Sequence, residues 1–317
     1  MTATVFIDGE AGTTGLQIRE RLCDRTDLTI TSIDPNDRKN LDARRAYLNG
    51  ADAVILCLPD DAAREAVGLI NNPKVRVIDA STAHRTAVDW TYGFPEMEPG
   101  QREAIRAATR ISNPGCYPTG FLALVRPLIK QGLLPPDWPV TVNAVSGYSG
   151  GGRSMIAEFE NTQAPGYTTT PYRPYATSLK HKHVPEMQHF AGLSHRPLFS
   201  PAVGRYRQGM IVEVPLQLAA IPGRPRIDDI HLALSRAYEV EHFVKVASLE
   251  EAMVTETLDP EALNGSNFMR LYVFGADDLG HARLVAVLDN LGKGAAGAAV
   301  QNLNLALGFD EAKGLEL

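Results

Sequence analysis

The chain has 317 residues, of which 44% are apolar and 21% charged, and its formal net charge is −6. This length suits one large or two ordinary domains with cores of their own, and the composition excludes a disordered chain, a coiled coil and a fibre. The negative charge argues against a general nucleic-acid binder, and the lack of about 18 consecutive apolar residues argues against a membrane span. Three widely spaced cysteines and an N-terminus without a signal-peptide pattern predict a cytoplasmic protein without a disulfide framework.

The first part of the chain alternates short apolar strands with helical stretches. Strands are predicted at residues 4–8, 28–33, 53–58 and 75–79. The third of these is apolar almost throughout, as expected of a strand that is covered on both faces. This order of elements predicts a doubly wound parallel sheet.

From about residue 112 the pattern changes to longer, more alternating strands that are joined by irregular loops. The strands predicted here span residues 140–145, 210–218, 243–246, 270–274 and 284–288, and Gln163–Tyr175 is expected to be an extended loop. Such strands favour a mixed or largely antiparallel sheet. A last helix is predicted at about residues 294–307, and its small residues suggest close packing.

Three glycines lie between the first strand and the first helical stretch, at Gly9, Gly12 and Gly15. Their spacing is one residue looser at the front than the usual dinucleotide fingerprint. Their place between strand and helix nevertheless leaves backbone N–H groups for an anion, and Thr13 and Thr14 add hydroxyl donors for phosphate oxygens. An ordinary glycine-rich turn is the alternative, but the surrounding strands favour a dinucleotide site.

The choice between NAD and NADP depends on the residues after the second strand. Asp34 lies 19 residues after Gly15, near where an acid binds the ribose hydroxyls of NAD. Pro35 turns the chain away, and the cations Arg38 and Lys39 follow, which would pair with a 2′-phosphate. The alternative is that these charges are solvated surface. We favour NADP.

Cys116 differs from the other two cysteines. Cys23, in the first helix, and Cys57, in a buried strand, are interpreted as small core residues. Pro118 is tolerated only in a first helical turn, which predicts Cys116 at a helix N-terminus. There the dipole lowers a thiol pKa and free N–H groups can bind an oxyanion, as a nucleophile requires, although a buried thiol without a chemical role is the alternative. Pro127 is expected to kink this helix or end it early.

A thiol nucleophile beside a hydride donor suggests that an acyl group is transferred to sulfur and reduced to an aldehyde. This chemistry needs an acid or base, and His181 and His183 are the candidates. On an extended segment, alternate residues point to opposite sides, so only one of the two would face the sulfur. A basic solvated loop is the alternative. No metal site is expected, because acidic or thiolate ligands are missing at useful spacing.

Six motifs spread from one end of the chain to the other belong together. They are Asp8–Gly15, Ser112–Thr119, Val145–Arg153, Lys180–Glu186, Gly204–Met210 and Asp289–Gly297. Together they resemble the N-acetyl-gamma-glutamyl-phosphate reductase family in its shorter form, an arginine-biosynthesis enzyme that makes N-acetylglutamate semialdehyde. The segment around Cys116 is the most specific of them. One departure is Ala298, where many relatives carry glutamine.

The resemblance implies a Rossmann-type doubly wound parallel sheet and an α+β substrate and dimerisation domain with a mixed sheet. Because the family fold returns the last helix to the first domain, that domain is expected to comprise residues 1–115 and 289–317, and the second 116–288. The implied cofactor is NADP(H), and the implied partner is a small acyl phosphate. A homo-oligomer is expected, either a dimer or a tetramer.

The resemblance also implies roles for single residues, with Cys116 as the nucleophile and His181 as the acid/base residue oriented by Glu186. Cofactor contacts are implied for the glycine turn, and beyond it for Cys57, Leu58, Pro59, Ser81, Arg85 and Asn290. Substrate contacts are expected from Asn113, Ser149, Gly150, Arg153 and Arg207.

Two other functions compete with this one. Aspartate-semialdehyde dehydrogenase shares the thioester chemistry on a shorter acyl phosphate, but Gly147–Arg153 and Lys180–Glu186 favour the glutamyl enzyme. A non-catalytic NADP-sensing protein would need no reactive thiol.

Overall fold

The structure, a computed structural model, describes residues 2–38 and 40–315 and divides into two compact units. The first unit comprises the residues up to Pro95, Pro99–Gly115 and the residues from Ala295 onward. The second comprises Glu96–Glu98 and Cys116–Gly294. Residues 96–98 and 289–294, which the sequence assigned to the first domain, therefore lie in the second unit.

Within the described residues, the first unit contains a six-stranded sheet in the order β2-β1-β3-β4-β6-β5, with every paired strand parallel. Its strands are β1 Ala3–Asp8, β2 Leu28–Thr31, β3 Ala53–Leu56, β4 Arg76–Asp79, β5 Thr91–Tyr92 and β6 Arg110–Ser112. The predicted parallel sheet is confirmed, and all four residues of β3 are buried. Strands β5 and β6 escaped prediction because two or three residues carry too little of an apolar pattern.

The helices of the first unit are α1 Thr13–Leu22, α2 Leu41–Gly50, α3 Asp60–Leu69, α4 Gln101–Ala107 and α10 Gly297–Leu307. A core cluster that includes Phe6, Leu48 and Val54 lies between the sheet and its helices. Helix α10 is buried along almost its whole length and packs against α1 and α4. It begins three residues later than expected, because a π-helical turn occupies Gly292–Ala296.

The second unit is built on a seven-stranded mixed sheet in the fully described stretch 116–294, in the order β11-β12-β13-β10-β7-β9-β8. Its strands are β7 Thr141–Gly147, β8 Tyr172–Pro174, β9 Leu198–Gly204, β10 Met210–Gln217, β11 Val244–Val246, β12 Met269–Ala276 and β13 His281–Leu288. Its helices are α5 Cys116–Lys130, α6 Gly152–Glu160, α7 Val184–Ala191, α8 Ile227–Tyr238 and α9 Leu249–Val254. The pairs β7–β9 and β11–β12 are parallel and the other pairs are antiparallel, which confirms the predicted mixed sheet.

Two strands of this sheet were not expected from the sequence. Strand β8 lies at the end of the predicted loop Gln163–Tyr175, and it is exposed and only three residues long. Strand β9 contains Pro201, which removes a backbone donor and argues against a strand inside a sheet. It is nevertheless paired on both sides, with β7 and β8.

Helix α5 is the central helix of the second unit, and Pro127 does not interrupt it, so the expected kink or early end is wrong. A proline at this position cannot donate the usual hydrogen bond to the carbonyl four residues earlier, that of Ala123. The hydroxyl of Tyr238 donates to this carbonyl instead, at 3.0 Å, from the last residue of α8. The helix therefore continues to Lys130 with that acceptor satisfied.

No helix among the described residues is both long and apolar enough to cross a membrane.

Candidate active site

Cys116 is the first residue of helix α5, as the position of Pro118 predicted. The first-turn N–H groups of a helix have no partner inside it, and together with the dipole they favour a negative charge at this end. The thiol is half-buried. Gly294 lies directly against it, because a Cβ atom on that glycine would be 2.8 Å from the Cβ of Cys116.

His181 and His183 lie together rather than on opposite sides of the chain. Their ring centroids are 4.8 Å apart. The expectation of an extended segment is wrong because the chain turns here: the N–H of Val184 donates to the carbonyl of His181 at 3.1 Å, and His183 caps helix α7. His183 is buried and His181 is half-buried.

Both ring nitrogens of His181 have protein partners. Nδ1 accepts the backbone N–H of His183 at 3.1 Å, and Nε2 lies 3.3 Å from the hydroxyl of Tyr175. Since Nδ1 accepts, the neutral ring is assigned its proton on Nε2. Burial lowers the pKa of His181 to about 4, with a contribution from the charge of Lys182, so the ring is neutral near pH 7.

Two tyrosines extend this hydrogen bond into a chain that sequence reasoning missed. Tyr175 donates to the hydroxyl of Tyr117 at 3.2 Å, and Tyr117 is 3.4 Å from the carbonyl of Ala202. Burial raises the pKa of Tyr175 to about 12, and the charge of a Cys116 thiolate also raises it. The same two causes raise the pKa of Tyr117. Tyr117 could have been found from the sequence, because it directly follows Cys116. Tyr175 could not, because it lies at the end of a predicted loop.

Glu186 is buried in the first turn of α7. The family resemblance implies that it orients His181. In the structure, the hydrogen bonds to the ring of His181 come from His183 and Tyr175. These two residues orient the ring, and the role expected of Glu186 stays a prediction.

Ser149 lies in a short 3₁₀ turn, Tyr148–Gly151, directly after β7. Its hydroxyl accepts a hydrogen bond from the amide of Asn290 at 3.0 Å, and its N–H donates to the carbonyl of Arg207 at 3.0 Å. The oxygen of the same amide accepts the N–H of Gly209 at 2.7 Å. Asn290 lies in the second unit and holds this turn in place through these bonds. The cofactor contact expected of it stays a prediction.

Gly150 follows Ser149 on the surface of the turn, and two arginines flank it on neighbouring elements. The side chain of Arg207 is 57% exposed, and its Nη1 lies 2.5 Å from a carboxylate oxygen of Glu160. Arg153 is exposed in the first turn of α6. These cations are open to solvent and to an anionic ligand.

The glycine turn of the first unit is closed too tightly for side chains. Gly9 has a φ of +88°, and a Cβ on it would be 2.3 Å from the carbonyl oxygen of Cys57. A Cβ on Gly15 would be 2.6 Å from the carbonyl oxygen of Gly9, and one on Gly12 would be 3.3 Å from it. Helix α1 then begins at Thr13, with no acidic residue in its first turn. This bare, positively polarised helix end fits the pyrophosphate of a dinucleotide.

A cluster of polar residues surrounds Glu10, next to the glycine turn. Its carboxylate accepts hydrogen bonds from Arg19 at 2.5 Å and Ser32 at 2.8 Å, and it lies 3.5 Å from Arg38. Ser32 comes directly after β2, where a ribose-binding residue is expected. The sequence pointed to Arg38 but missed Arg19 and Ser32, while Lys39 lies outside the described residues.

The other residues expected at the cofactor lie in loops at the carboxyl edge of the parallel sheet. Cys57, Leu58 and Pro59 follow β3, and Ser81 and Arg85 follow β4. Ser81 donates to the buried carboxylate of Asp79 at 2.8 Å.

Arg85 and Asn113 support each other in the first unit. Arg85 donates to the carbonyls of Asn113 at 3.0 Å and Ala80 at 3.2 Å. The amide of Asn113 donates to Ala295 and accepts from Asn302, both at 3.0 Å. These bonds fix the position of Asn113 within the first unit, and the substrate contact expected of it stays a prediction.

The remaining cysteines differ from Cys116. Burial and the charges of Asp79 and Asp8 raise the pKa of Cys57 to about 12, so its thiol stays protonated near neutral pH. Cys23 is exposed at the end of α1, which corrects its interpretation as a core residue.

A parallel sheet with a dinucleotide-type glycine turn, and a mixed sheet whose central helix begins with a thiol, define the semialdehyde dehydrogenase class of oxidoreductases. Residues 24–108 match the family model of the semialdehyde dehydrogenase NAD binding domain, and residues 116–290 match that of its dimerisation domain. The fold is similar to that of aspartate semialdehyde dehydrogenase II from Vibrio cholerae, with a TM-score of 0.71 at 16% identity over 97% of this chain and 98% of that one. The Candida albicans aspartate semialdehyde dehydrogenase with NADP gives a TM-score of 0.66 at 13% identity, over 96% and 99% of the two chains.

Relatives with a much higher sequence identity than these structures identify one family within this class. An N-acetyl-gamma-glutamyl-phosphate reductase 2 from Nostoc sp. is 54% identical and covers 98% of both chains. The N-acetyl-gamma-glutamyl-phosphate reductase of Brucella ovis is 54% identical over 97% of this chain and 100% of its own. The chain belongs to the N-acetyl-gamma-glutamyl-phosphate reductase family.

Proposed function

We propose that the protein reduces N-acetyl-L-glutamyl 5-phosphate to N-acetyl-L-glutamate 5-semialdehyde and phosphate with NADPH, as a step of arginine biosynthesis. The observation that carries this function is Cys116 at the N-terminus of a buried helix, with His181 and two tyrosines in the same unit. The name shared by relatives at 54% identity supports the choice of substrate.

Cofactor binding is assigned to the first unit. The N–H groups of the glycine turn and the hydroxyls of Thr13 and Thr14 hold the pyrophosphate, since no side chain fits between the turn and its neighbours. Arg38, with Arg19 and Ser32 beside it, binds the 2′-phosphate that distinguishes NADPH from NADH. When bound, NADPH supplies the hydride that reduces the acyl group.

The first chemical step is attack of the Cys116 thiolate on the carbonyl carbon of the acyl phosphate. A C–S bond forms, the C–O bond to phosphate breaks, and phosphate leaves with the electron pair of that bond, so that a thioester remains. N–H groups of the first turn of α5, which have no partner inside the helix, stabilise the negative oxygen of the tetrahedral intermediate.

His181 acts on the oxygen that gains charge when the thioester carbon has been reduced. Its Nε2–H donates to that oxygen in the thiohemiacetal, because the bond from the His183 N–H keeps the proton on Nε2. Collapse of the thiohemiacetal re-forms the carbonyl, breaks the C–S bond and returns the thiolate. In the free protein this Nε2–H faces the hydroxyl of Tyr175, which gives way to the substrate oxygen, and the bond from the His183 N–H keeps the ring oriented.

Substrate anions are assigned to Arg207, Arg153 and the turn at Ser149–Gly150. Arg offers a permanently charged, forked donor for a carboxylate or phosphate, and Arg207 is exposed beside the turn. Glu160 neutralises this cation until an anion replaces it.

We also infer that the protein works as a homo-oligomer, a dimer or a tetramer, in the cytoplasm. The match of residues 116–290 to a dimerisation domain supports the first inference. The need to keep the Cys116 thiol reduced supports the second.

The decisive experiment is phosphate-dependent reduction of NADP by the purified protein with N-acetylglutamate semialdehyde. Activity is expected with this substrate, and little with aspartate semialdehyde under the same conditions. The C116A variant is expected to be inactive while it still binds NADPH with an affinity within about a few-fold of the parent protein, because thiol and cofactor site have separate tasks. Preference for aspartate semialdehyde, or substantial turnover by C116A, would contradict the proposed function.

A further inference from the structure

The second unit contains a buried ion pair to which the mechanism gives no role. The ammonium group of Lys293 lies 2.7 Å and 2.9 Å from the two carboxylate oxygens of Glu96. The two side chains are 1% and 0% exposed. Removing two charges from water costs as much as their attraction returns, so such a pair is weak as a source of stability, and its best-attested use is to fix a position.

Lys293 belongs to a segment, Asp289–Gly294, that touches several parts of the site. The carboxylate of Asp289 accepts hydrogen bonds from Gln208 at 2.6 Å and from the N–H of Gly265 at 2.8 Å. The next residue, Asn290, holds Ser149 and Gly209. The loops that carry the substrate residues are thus anchored on this segment.

The far end of the same segment is in contact with the nucleophile. Gly294 is part of the π-helical turn, and its N–H donates to the carbonyl of Asp289 at 2.9 Å. A Cβ on Gly294 would be 2.8 Å from the Cβ and 3.3 Å from the Cα of Cys116. Gly294 and Cys116 are therefore in close van der Waals contact. Because Gly294 is the neighbour of Lys293 in the chain, a displacement of Lys293 also displaces Cys116.

The short segment that carries Glu96, the other half of the pair, is attached to helix α5, which begins at Cys116. Two residues along the chain, the carboxylate of Glu98 lies 2.6 Å from Arg126 and 3.3 Å from Lys130, both on α5. The connection therefore closes on itself: α5 holds Glu98, Glu96 holds Lys293, and Gly294 meets the first residue of α5. Such a closed connection fixes the π turn against the thiol.

We propose that Lys293 and Glu96 are positioning residues for Cys116, which hold Gly294 and the thiol in the geometry needed for attack. The role deepens the proposed function and rests on it only in that Cys116 is the nucleophile. Neither residue is assigned contact with substrate or cofactor.

The test compares the alkylation rate of Cys116 by iodoacetamide in the parent protein, K293M and E96Q, with the modified cysteine identified by peptide mass spectrometry. Both variants are expected to lower this rate and kcat about tenfold, since a misplacement of about 1 Å can cost a hundredfold. The Kd for NADPH is expected to stay within about twofold, a change far below the tenfold that 1.4 kcal/mol produces. E96Q is isosteric and is the variant to use if K293M does not fold.

Two further variants separate positioning from stability. R25M breaks a partly buried ion pair of the first unit, Arg25–Asp27, and is expected to lower Tm without changing the alkylation rate. Each single variant leaves one buried charge without its partner and is expected to lower Tm. The double variant K293M/E96L replaces both charges by apolar groups, so its Tm is expected to be close to that of the parent protein, while its alkylation rate and kcat stay low.

Parent-like alkylation and kcat in folded K293M and E96Q would overturn the positioning role, as would recovery of both rates with Tm in the double variant. Equal slowing in R25M would also overturn it. The alkylation assay uses no substrate, so it decides this role even if N-acetylglutamate semialdehyde proves to be the wrong substrate.

Discussion

Cys57 lies at the carboxyl end of β3, where burial and two carboxylates keep its thiol protonated. Cys116 begins a helix of 15 residues whose dipole favours negative charge at this end. The two side chains are chemically identical, and only their surroundings differ. At the scale of single residues, environment decides which group is reactive.

His181 provides the sharpest test at this scale. H181N is expected to lower kcat about a hundredfold to ten-thousandfold, the usual range for a lost acid/base residue, with nearly unchanged NADPH binding. Because its pKa is about 4, His181 stays neutral as pH falls from 8 towards 5, and protonation of Nδ1 below that breaks the bond from the His183 N–H. The pH profile of kcat is therefore expected to show its histidine limb near pH 4, and H181N removes that limb.

The matched control is H183N, which retains the backbone N–H that orients His181. Only a small loss of kcat is expected from it. A larger loss in H183N than in H181N would show that the other ring does the work, and a limb near the ordinary histidine pKa of about 6.5 that vanishes in H181N would contradict the neutral ring.

Replacing Arg38 and Lys39 by alanine is expected to weaken NADPH far more than NADH. Loss of charge-assisted contacts to a 2′-phosphate costs on the order of 1.5–3 kcal/mol, roughly tenfold to a hundredfold in Kd. The measurement is a fluorescence titration with each cofactor. E10Q is the companion variant: it frees Arg19 and Arg38 from a competing carboxylate and is expected to tighten NADPH alone. Equal weakening of both cofactors would make these cations ordinary surface charge.

At the scale of elements, the glycine turn depends on backbone atoms that approach each other closely. G15A would put a Cβ 2.6 Å from the carbonyl oxygen of Gly9 and force the turn open. Strain of about 1–3 kcal/mol at this point is expected to weaken NADPH about tenfold or more, as titration would measure. The control is G68A in helix α3, where a Cβ would meet nothing within 4 Å. Equal NADPH affinity in the two variants would exclude a role of the turn's geometry in binding.

Helix α5 offers a second test at this scale. The hydroxyl of Tyr238 takes the place of the backbone N–H that Pro127 lacks. Y238F is expected to cost about 1–3 kcal/mol of unfolding free energy, since it leaves the buried carbonyl of Ala123 without its donor. In a P127A background, the new N–H four residues later supplies that bond, and the same change is expected to cost less. Urea unfolding of the four proteins in this cycle measures the difference. Equal costs in both backgrounds would contradict the compensation.

For the whole molecule, acidification is expected to lower stability. The hydrogen bond from Arg25 lowers the pKa of Asp27, and burial lowers that of His181. In both cases the unfolded chain binds protons that the folded chain does not, so unfolding is favoured as pH falls. The loss begins near the unfolded histidine value of about 6.5 and deepens near the unfolded aspartate value of about 3.9. Urea unfolding at a series of pH values measures it, and H181N should flatten the first part. A constant or rising unfolding free energy would contradict this account.

How far the sequence predicts this molecule depends on whether the signal is local. Strand β3 and the helix start at Cys116 follow from short patterns, an apolar run and a proline in a first turn. The course of α5 through Pro127 does not, because its explanation is Tyr238, which is 111 residues away in the sequence. Tyr175 and the hydrogen bonds that fix Asn113 were missed for the same reason, since only the folded chain brings their partners together.

The course of the chain through its two units has a consequence for synthesis. Helix α10 leaves the ribosome after all the other described elements of the first unit, yet its residues Ala299, Val300 and Leu303 are fully buried in that unit. The nascent first unit therefore exposes the apolar surfaces of α1 and α4 until the whole second unit and α10 have been synthesised. A ribosome stalled before Ala295 would carry an incomplete N-terminal unit, which is the kind of surface that chaperones bind and that aggregates when they are absent.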